Sequence, residues 1–152
     1  MTSKTKTYIK SVVLTLAVGA LSAFVTRGNM DIYESINKPY IAPPGFIFPI
    51  VWTILFVLMG ISFANVLVKG QGNVCKGIYV LQLFANFIWS VIFFNFRAYL
   101  FSFVWLILLW VLILIMIKCF YKISRAAAYL NIPYILWVTF AGALNYMIYI
   151  LN

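Results

Sequence analysis

The chain has 152 residues, of which 66% are hydrophobic and only 9% charged, with a net charge of +9. Ordinary soluble domains average about 45–50% apolar and about 25% charged residues, and a body this small cannot cover itself in water with so few charges. A soluble globular enzyme and a disordered chain are both excluded. The remaining class is an all-α integral membrane protein, a single domain over 1–152 formed as one transmembrane-helix bundle.

A spanning helix needs about 20 mostly apolar residues, and five segments qualify: about 9–25, 46–68, 78–96, 99–120 and 127–151. The first follows Lys4, Lys6 and Lys10 like a signal peptide. Its apolar run is long for one and no small-x-small cleavage site follows, so a retained helix is expected. Ala17, Ala20 and Ala23, with Gly19 nearby, should let this helix approach a neighbour closely.

Residues 26–45 form the longest connection and carry both acids of the chain, Asp31 and Glu34, together with Pro39, Pro43 and Pro44. Loops of this length in compact proteins often cover binding sites, so this one is read as a lid, stiffened by its prolines. Gly70, Gly72 and Gly77 separate the second and third segments, Arg97 alone marks the tight break between the third and fourth, and YKISR precedes the fifth. Pro133 should bend the fifth helix or delay its start. Cys75 and Cys119 lie in hydrophobic surroundings and are expected to be free thiols.

Basic residues orient a membrane chain. Lys4, Lys6, Lys10, Lys69, Lys76, Lys118, Lys122 and Arg125, eight in all, share one side, against Arg27, Lys38 and Arg97 on the other. The N-terminus is therefore expected in the cytoplasm and the C-terminus outside. The positive charge serves topology and attraction to anionic lipid. It is scattered along membrane edges, which argues against a nucleic-acid partner.

Polar and aromatic residues recur at helical spacing. Gln82, Asn86, Trp89 and Phe93 share one face of the third segment, Trp137, Ala141, Leu144 and Asn145 one face of the fifth, and Trp52 and Phe56 one face of the second. Small Ala141 would leave space between larger neighbours. The same faces also suit interfacial anchoring and helix packing, and Asn145 fits a structural hydrogen bond as well as a ligand contact. The chain has no histidine and no acid within any span. Triad hydrolysis, histidine-ligated haem and a metal site therefore lack their donors, and an intramembrane proton relay lacks its carboxylate. What remains is a stacking surface for a large, flat, apolar molecule, oriented by an amide.

Three stretches carry a resemblance. KPYIAPPGFIFPIVW (Lys38 to Trp52) resembles the first loop and second helix of the TspO/MBR family, the tryptophan-rich sensory and translocator proteins that include the peripheral-type benzodiazepine receptors. LQLFANFIWSVIFFNFR (Leu81 to Arg97) is similar to that family's third helix and IPYILWVTFAGALNYMIY (Ile132 to Tyr149) to its fifth. The resemblance runs over nearly the whole chain. It implies a five-helix bundle, commonly a homodimer, in a bacterial cytoplasmic membrane. It implies binding of tetrapyrroles such as protoporphyrin IX with no required cofactor, and binding of synthetic benzodiazepine-site drugs. By the same resemblance the ligand contacts are Trp52, Asn86, Trp89, Phe93, Trp137, Ala141 and Leu144, to which the face shared with Trp52 adds Phe56, and Ile41, Pro43 and Pro44 belong to the lid.

Four departures accompany it. Ile41 replaces a loop tryptophan, Trp105 stands where a fourth-helix acid is frequent, and Phe56 stands where tyrosine is frequent. The C-terminal sterol pattern ends MIYILN without its basic residue, so sterol binding is expected to be weak. The expected function is a tetrapyrrole-binding sensor, carrier or scavenger. The alternatives are light- and oxygen-dependent porphyrin breakdown, with Trp52 and Trp137 as candidate catalytic groups, and translocation of a lipid or porphyrin.

Overall fold

A computed structural model describes residues 1–70 and 72–152. Gln71, in the break between the second and third expected spans, lies outside the described residues. The described chain forms α1 (Ser3–Thr26), a short α2 (Ile32–Ser35), α3 (Ile47–Val68), α4 (Asn73–Ser90), α5 (Tyr99–Ile123), a short α6 (Arg125–Tyr129) and α7 (Ile132–Leu151). Five of its helical segments are long and apolar enough to cross a membrane. Their outward faces carry Leu21, Phe24, Ile54, Phe84, Val104 and Leu136, all exposed. Apolar groups on the outside as well as the inside are what a bilayer-embedded bundle requires.

Local chemistry sets the ends. Thr2 caps α1 by accepting from the Thr5 backbone N–H at 3.2 Å. Gly70 and Gly72 take positive φ angles of 69° and 82°, which costs glycine little and reverses the chain between α3 and α4. α1 begins six residues before the expected position 9, because polar Ser3–Lys6 extend it beyond its apolar run. The break at Arg97 is tighter than its composition indicates. The end of α4 widens into a π-helical turn, Val91–Asn95, and Arg97 then adopts a left-handed backbone with φ 53°. Pro133 marks a late start of α7. The expected fifth span is divided into α6 and α7, and proline sits in the first turn of α7, where its missing N–H costs nothing.

α1 and α3 pack most intimately. A Cβ on Gly60 would stand 2.6 Å from the Val12 Cα, and the Ser11 hydroxyl donates to the Gly60 carbonyl at 2.7 Å. α5 lies against both α4 and α7. The expectation of free thiols is corrected here. Cys75, in the first turn of α4, and Cys119, near the end of α5, have Cα atoms 5.7 Å apart and form a disulfide. The physical reason is the antiparallel pairing of the two helices, which brings residues 44 positions apart in sequence to the same end of the bundle.

Candidate functional site

Beyond Gly60 the small residues of α1 leave room that a larger helix face would fill. Gly19 accepts the edge of the Phe56 ring, and a Cβ there would stand 2.6 Å from it. Further along, α1, α3, α4 and α7 enclose a cavity of about 400 Å³, within the usual range for small-molecule sites. Ala20 and Ala23 of α1 and Thr53 of α3 line it while remaining exposed, so it reaches the outer face of the bundle between these two helices.

Aromatic rings dominate the wall. Trp52 and Phe56 of α3 are stacked at 5.7 Å between centroids, and Trp52 lies 6.3 Å from Trp89 of α4. Trp89 in turn lies 5.7 Å from Phe93. The π-helical turn brings both Phe93 and Phe94 to the wall. Ala141 and Leu144 of α7 complete it. No charged side chain lines this cavity among the described residues.

Buried polar bonds hold these rings in place. Trp89 Nε1 donates to Asn145 Oδ1 at 3.1 Å; that oxygen also accepts from the Ser102 hydroxyl, and Asn145 Nδ2 donates to the Tyr99 carbonyl. Both polar atoms of the Asn145 side chain are thus bonded within the protein, making it a positioning residue for Trp89. Asn86 lines the cavity with its amide nitrogen donating to the Tyr134 hydroxyl at 2.8 Å. Gln82, on the same face of α4, lies beneath the cavity and accepts from Tyr134 at 2.7 Å. Trp105 donates to the Ala85 carbonyl at 2.8 Å and stitches α5 to α4.

Seven of the sequence-expected contacts are therefore brought together: Trp52, Phe56, Asn86, Trp89, Phe93, Ala141 and Leu144. Trp137 is not on the wall. Its ring packs on Phe48 at 5.8 Å and Phe140 at 5.4 Å, so it reaches the cavity only through Phe48. The lid is not a plain flap either. Met30 and Tyr33 line the cavity from the connector, whereas Ile41, Pro43 and Pro44 do not. Pro43 acts behind them, its carbonyl accepting from the Tyr33 hydroxyl at 2.7 Å. Burial, and then the neighbouring Glu34 charge, push the Tyr33 pKa up to about 12. The connector is pinned by Asn29 on Asn95 at 3.0 Å and by a reciprocal Asn37–Asn152 pair.

The contribution of α1 was missed by sequence reasoning. Leu16, Ser22 and Thr26 also line the cavity, and the Ser22 and Ser90 hydroxyls meet at 2.6 Å. The available signal was the small-residue face at 19, 20 and 23 continuing into Ser22 and Thr26, which reads equally as a packing stripe.

The TspO/MBR family model matches residues 11–151. The chain is 40% identical over 144 residues to a tryptophan-rich protein TspO of Chlorobaculum tepidum, covering 91% of each chain. It is 32% identical to a protein CrtK of Rhodobacter capsulatus, covering 88% of this chain and 85% of that one. It is 33% identical to a translocator protein of Bos taurus, covering 84% and 79% respectively. With five membrane-crossing helices and a match over nearly its whole length, the chain belongs to the TspO/MBR family of integral membrane proteins.

Proposed function

We propose that this protein binds tetrapyrroles such as protoporphyrin IX, and similar flat hydrophobic molecules, as a sensor, carrier or scavenger. The observation that carries the reading is the cavity between α1, α3, α4 and α7, walled by Trp52, Trp89 and Phe93 with no charged side chain among the described lining residues. Such a wall favours a large π surface, each aromatic contact contributing about 0.5–1.5 kcal/mol beyond area burial. The opening between α1 and α3 admits such a molecule from the membrane. The reading includes a cytoplasmic N-terminus in a bacterial membrane, a homodimer, weak sterol binding and acceptance of benzodiazepine-site drugs. The oriented basic residues support the topology, the C-terminal MIYILN without a basic residue supports weak sterol binding, and family membership supports the rest.

The test is quenching of tryptophan fluorescence by protoporphyrin IX in purified protein. Trp52→Leu should weaken binding roughly two- to tenfold, the worth of one stacked ring. Ala141→Leu should weaken it at least as much by filling the cavity from α7. Trp137→Phe, off the wall, should stay close to wild type. Unchanged affinity in both wall variants would rule this site out.

A second reading, light- and oxygen-dependent breakdown of bound porphyrin, is favoured by the 6.3 Å approach of the Trp52 and Trp89 rings on the wall. Of the two candidate groups, Trp52 and Trp137, it favours Trp52, which lines the cavity. Bound protoporphyrin should then bleach under illumination faster than free pigment, and Trp52→Phe should remove the difference. Equal bleaching rates would leave binding alone. Translocation has no comparable geometric support.

A further inference from the structure

The polar groups of this cavity have a common direction. On its wall the Thr26 hydroxyl donates to the Ser22 carbonyl, Thr53 to Pro49, Tyr33 to Pro43 and Ser90 to Phe87. The Ser22 and Ser90 hydroxyls meet at 2.6 Å, one donating to the other. Trp89 donates to Asn145. Among the described lining residues the Trp52 indole N–H and the second N–H of Asn86 Nδ2 have no protein acceptor, whereas the hydroxyl oxygens retain lone pairs.

Asn86 follows the same direction, and the reason lies deeper. The side chains of Met59, Gln82, Tyr134 and Asn86 form a chain across α3, α4 and α7, and their residues are 0%, 0%, 1% and 4% exposed. Met59 Sδ is a thioether, which can accept but never donate. The amide nitrogen of Gln82 faces it at 3.8 Å. Gln82 Oε1 must then face Tyr134, whose hydroxyl donates to it at 2.7 Å. Having spent its proton, the Tyr134 oxygen accepts from Asn86 Nδ2 at 2.8 Å. This leaves Asn86 Oδ1 with no protein partner, on a side chain that lines the cavity. Reversing the chain would set the Gln82 carbonyl against sulfur and present the Asn86 N–H₂ group to the ligand instead.

We propose that the Met59–Gln82–Tyr134 relay fixes the cavity as a hydrogen-bond acceptor, so that it selects flat apolar ligands carrying an N–H or O–H donor that reaches Asn86 Oδ1. The proposal rests on the binding reading above and adds the polarity of the ligand. Anionic substituents have no donor array to meet them within this wall and must remain outside the cavity. Met59, Gln82 and Tyr134 act as positioning residues for Asn86.

The experiment uses carbazole, a planar ring system with one N–H, and N-methylcarbazole, which lacks it, with protoporphyrin IX quenching measured on the same samples. Wild-type protein should bind carbazole about five- to tenfold more tightly, the worth of one net hydrogen bond. In Asn86→Leu the ratio should fall to that expected from the methyl group's size alone. In Tyr134→Phe and Met59→Leu it should fall part of the way, because the Asn86 amide is then free to turn over. The ratio is insensitive to a general loss of stability, since both ligands report on the same folded fraction. A ratio unchanged across the four proteins, with protoporphyrin still bound, would overturn the acceptor assignment and leave the binding reading standing. A wild-type preference for N-methylcarbazole would also overturn it. Failure of protoporphyrin and both carbazoles to bind would overturn the binding reading and the assignment together.

Discussion

Tyr33 shows how much a single side chain in the connector carries. Its ring lines the cavity and meets Phe48 edge-on at 4.9 Å, and its hydroxyl holds the Pro43 carbonyl. The raised pKa, about 12, means that the folded protein keeps this proton where an unfolded chain with a value near 10 releases it. The folded state then binds more protons than the unfolded state between pH 10 and pH 12, so stability falls as pH rises through that window and is fully present below it. Tyr33→Phe should flatten the fall in Tm across the window, measured by thermal unfolding in detergent at several pH values. An unchanged slope would show that ionisation of Tyr33 does not report on the fold. In the sequence Tyr33 is one aromatic among the residues of the 26–45 connection. Its contact with Pro43 depends on the short helix α2, which no apolar periodicity announces in so few residues.

At the scale of the helix, the pair α1 and α3 decides where the cavity begins. Backbone contact at Gly60 and Val12 draws these helices together, and the edge of Phe56 enters the gap that Gly19 leaves. Neither position tolerates a Cβ without movement, because Gly60 would strike backbone atoms, not the end of a flexible side chain. Gly60→Ala should therefore cost roughly 1–3 kcal/mol through overpacking, read as a fall in Tm. A variant as stable as wild type would show that the helices separate without penalty. Gly19→Ala should turn Phe56 into the cavity and weaken protoporphyrin binding more than it lowers Tm. The helical faces of α3, α4 and α7 were legible because a 3.6-residue period is a local property of sequence. Trp137 departs from its expected role because a cavity boundary depends on how far each helix is rotated about its axis. A rotation of a few tens of degrees separates a wall residue from one packed behind Phe48.

For the whole molecule, the disulfide between Cys75 and Cys119 closes a loop spanning 44 positions and clamps α4 to α5 at one end of the bundle. Cross-links of this length typically contribute about 2–4 kcal/mol by restricting the unfolded chain. The Cys75→Ser, Cys119→Ser double variant and chemically reduced wild type should show matching falls in Tm. Protein denatured without reductant should show no free thiol in a mass-shift alkylation assay. Full alkylation under those conditions would refute the bond.

The number of spans, the lack of histidine and of any acid within a span, and the family were determined by the sequence alone. Hydropathy over about 20 residues and the identity of every side chain are properties of the linear chain, independent of its folding. Packing decided the rest. The lining role of α1, the displacement of Trp137, the pairing of the two cysteines and the unpartnered carbonyl of Asn86 all depend on atoms far apart in sequence meeting in one place. In the Asn86 relay the decisive atom is the sulfur of Met59, which lies 27 residues away, on another helix, and does not line the cavity. Hydrogen-bond direction passes only through such contacts, and they exist only once the helices are docked.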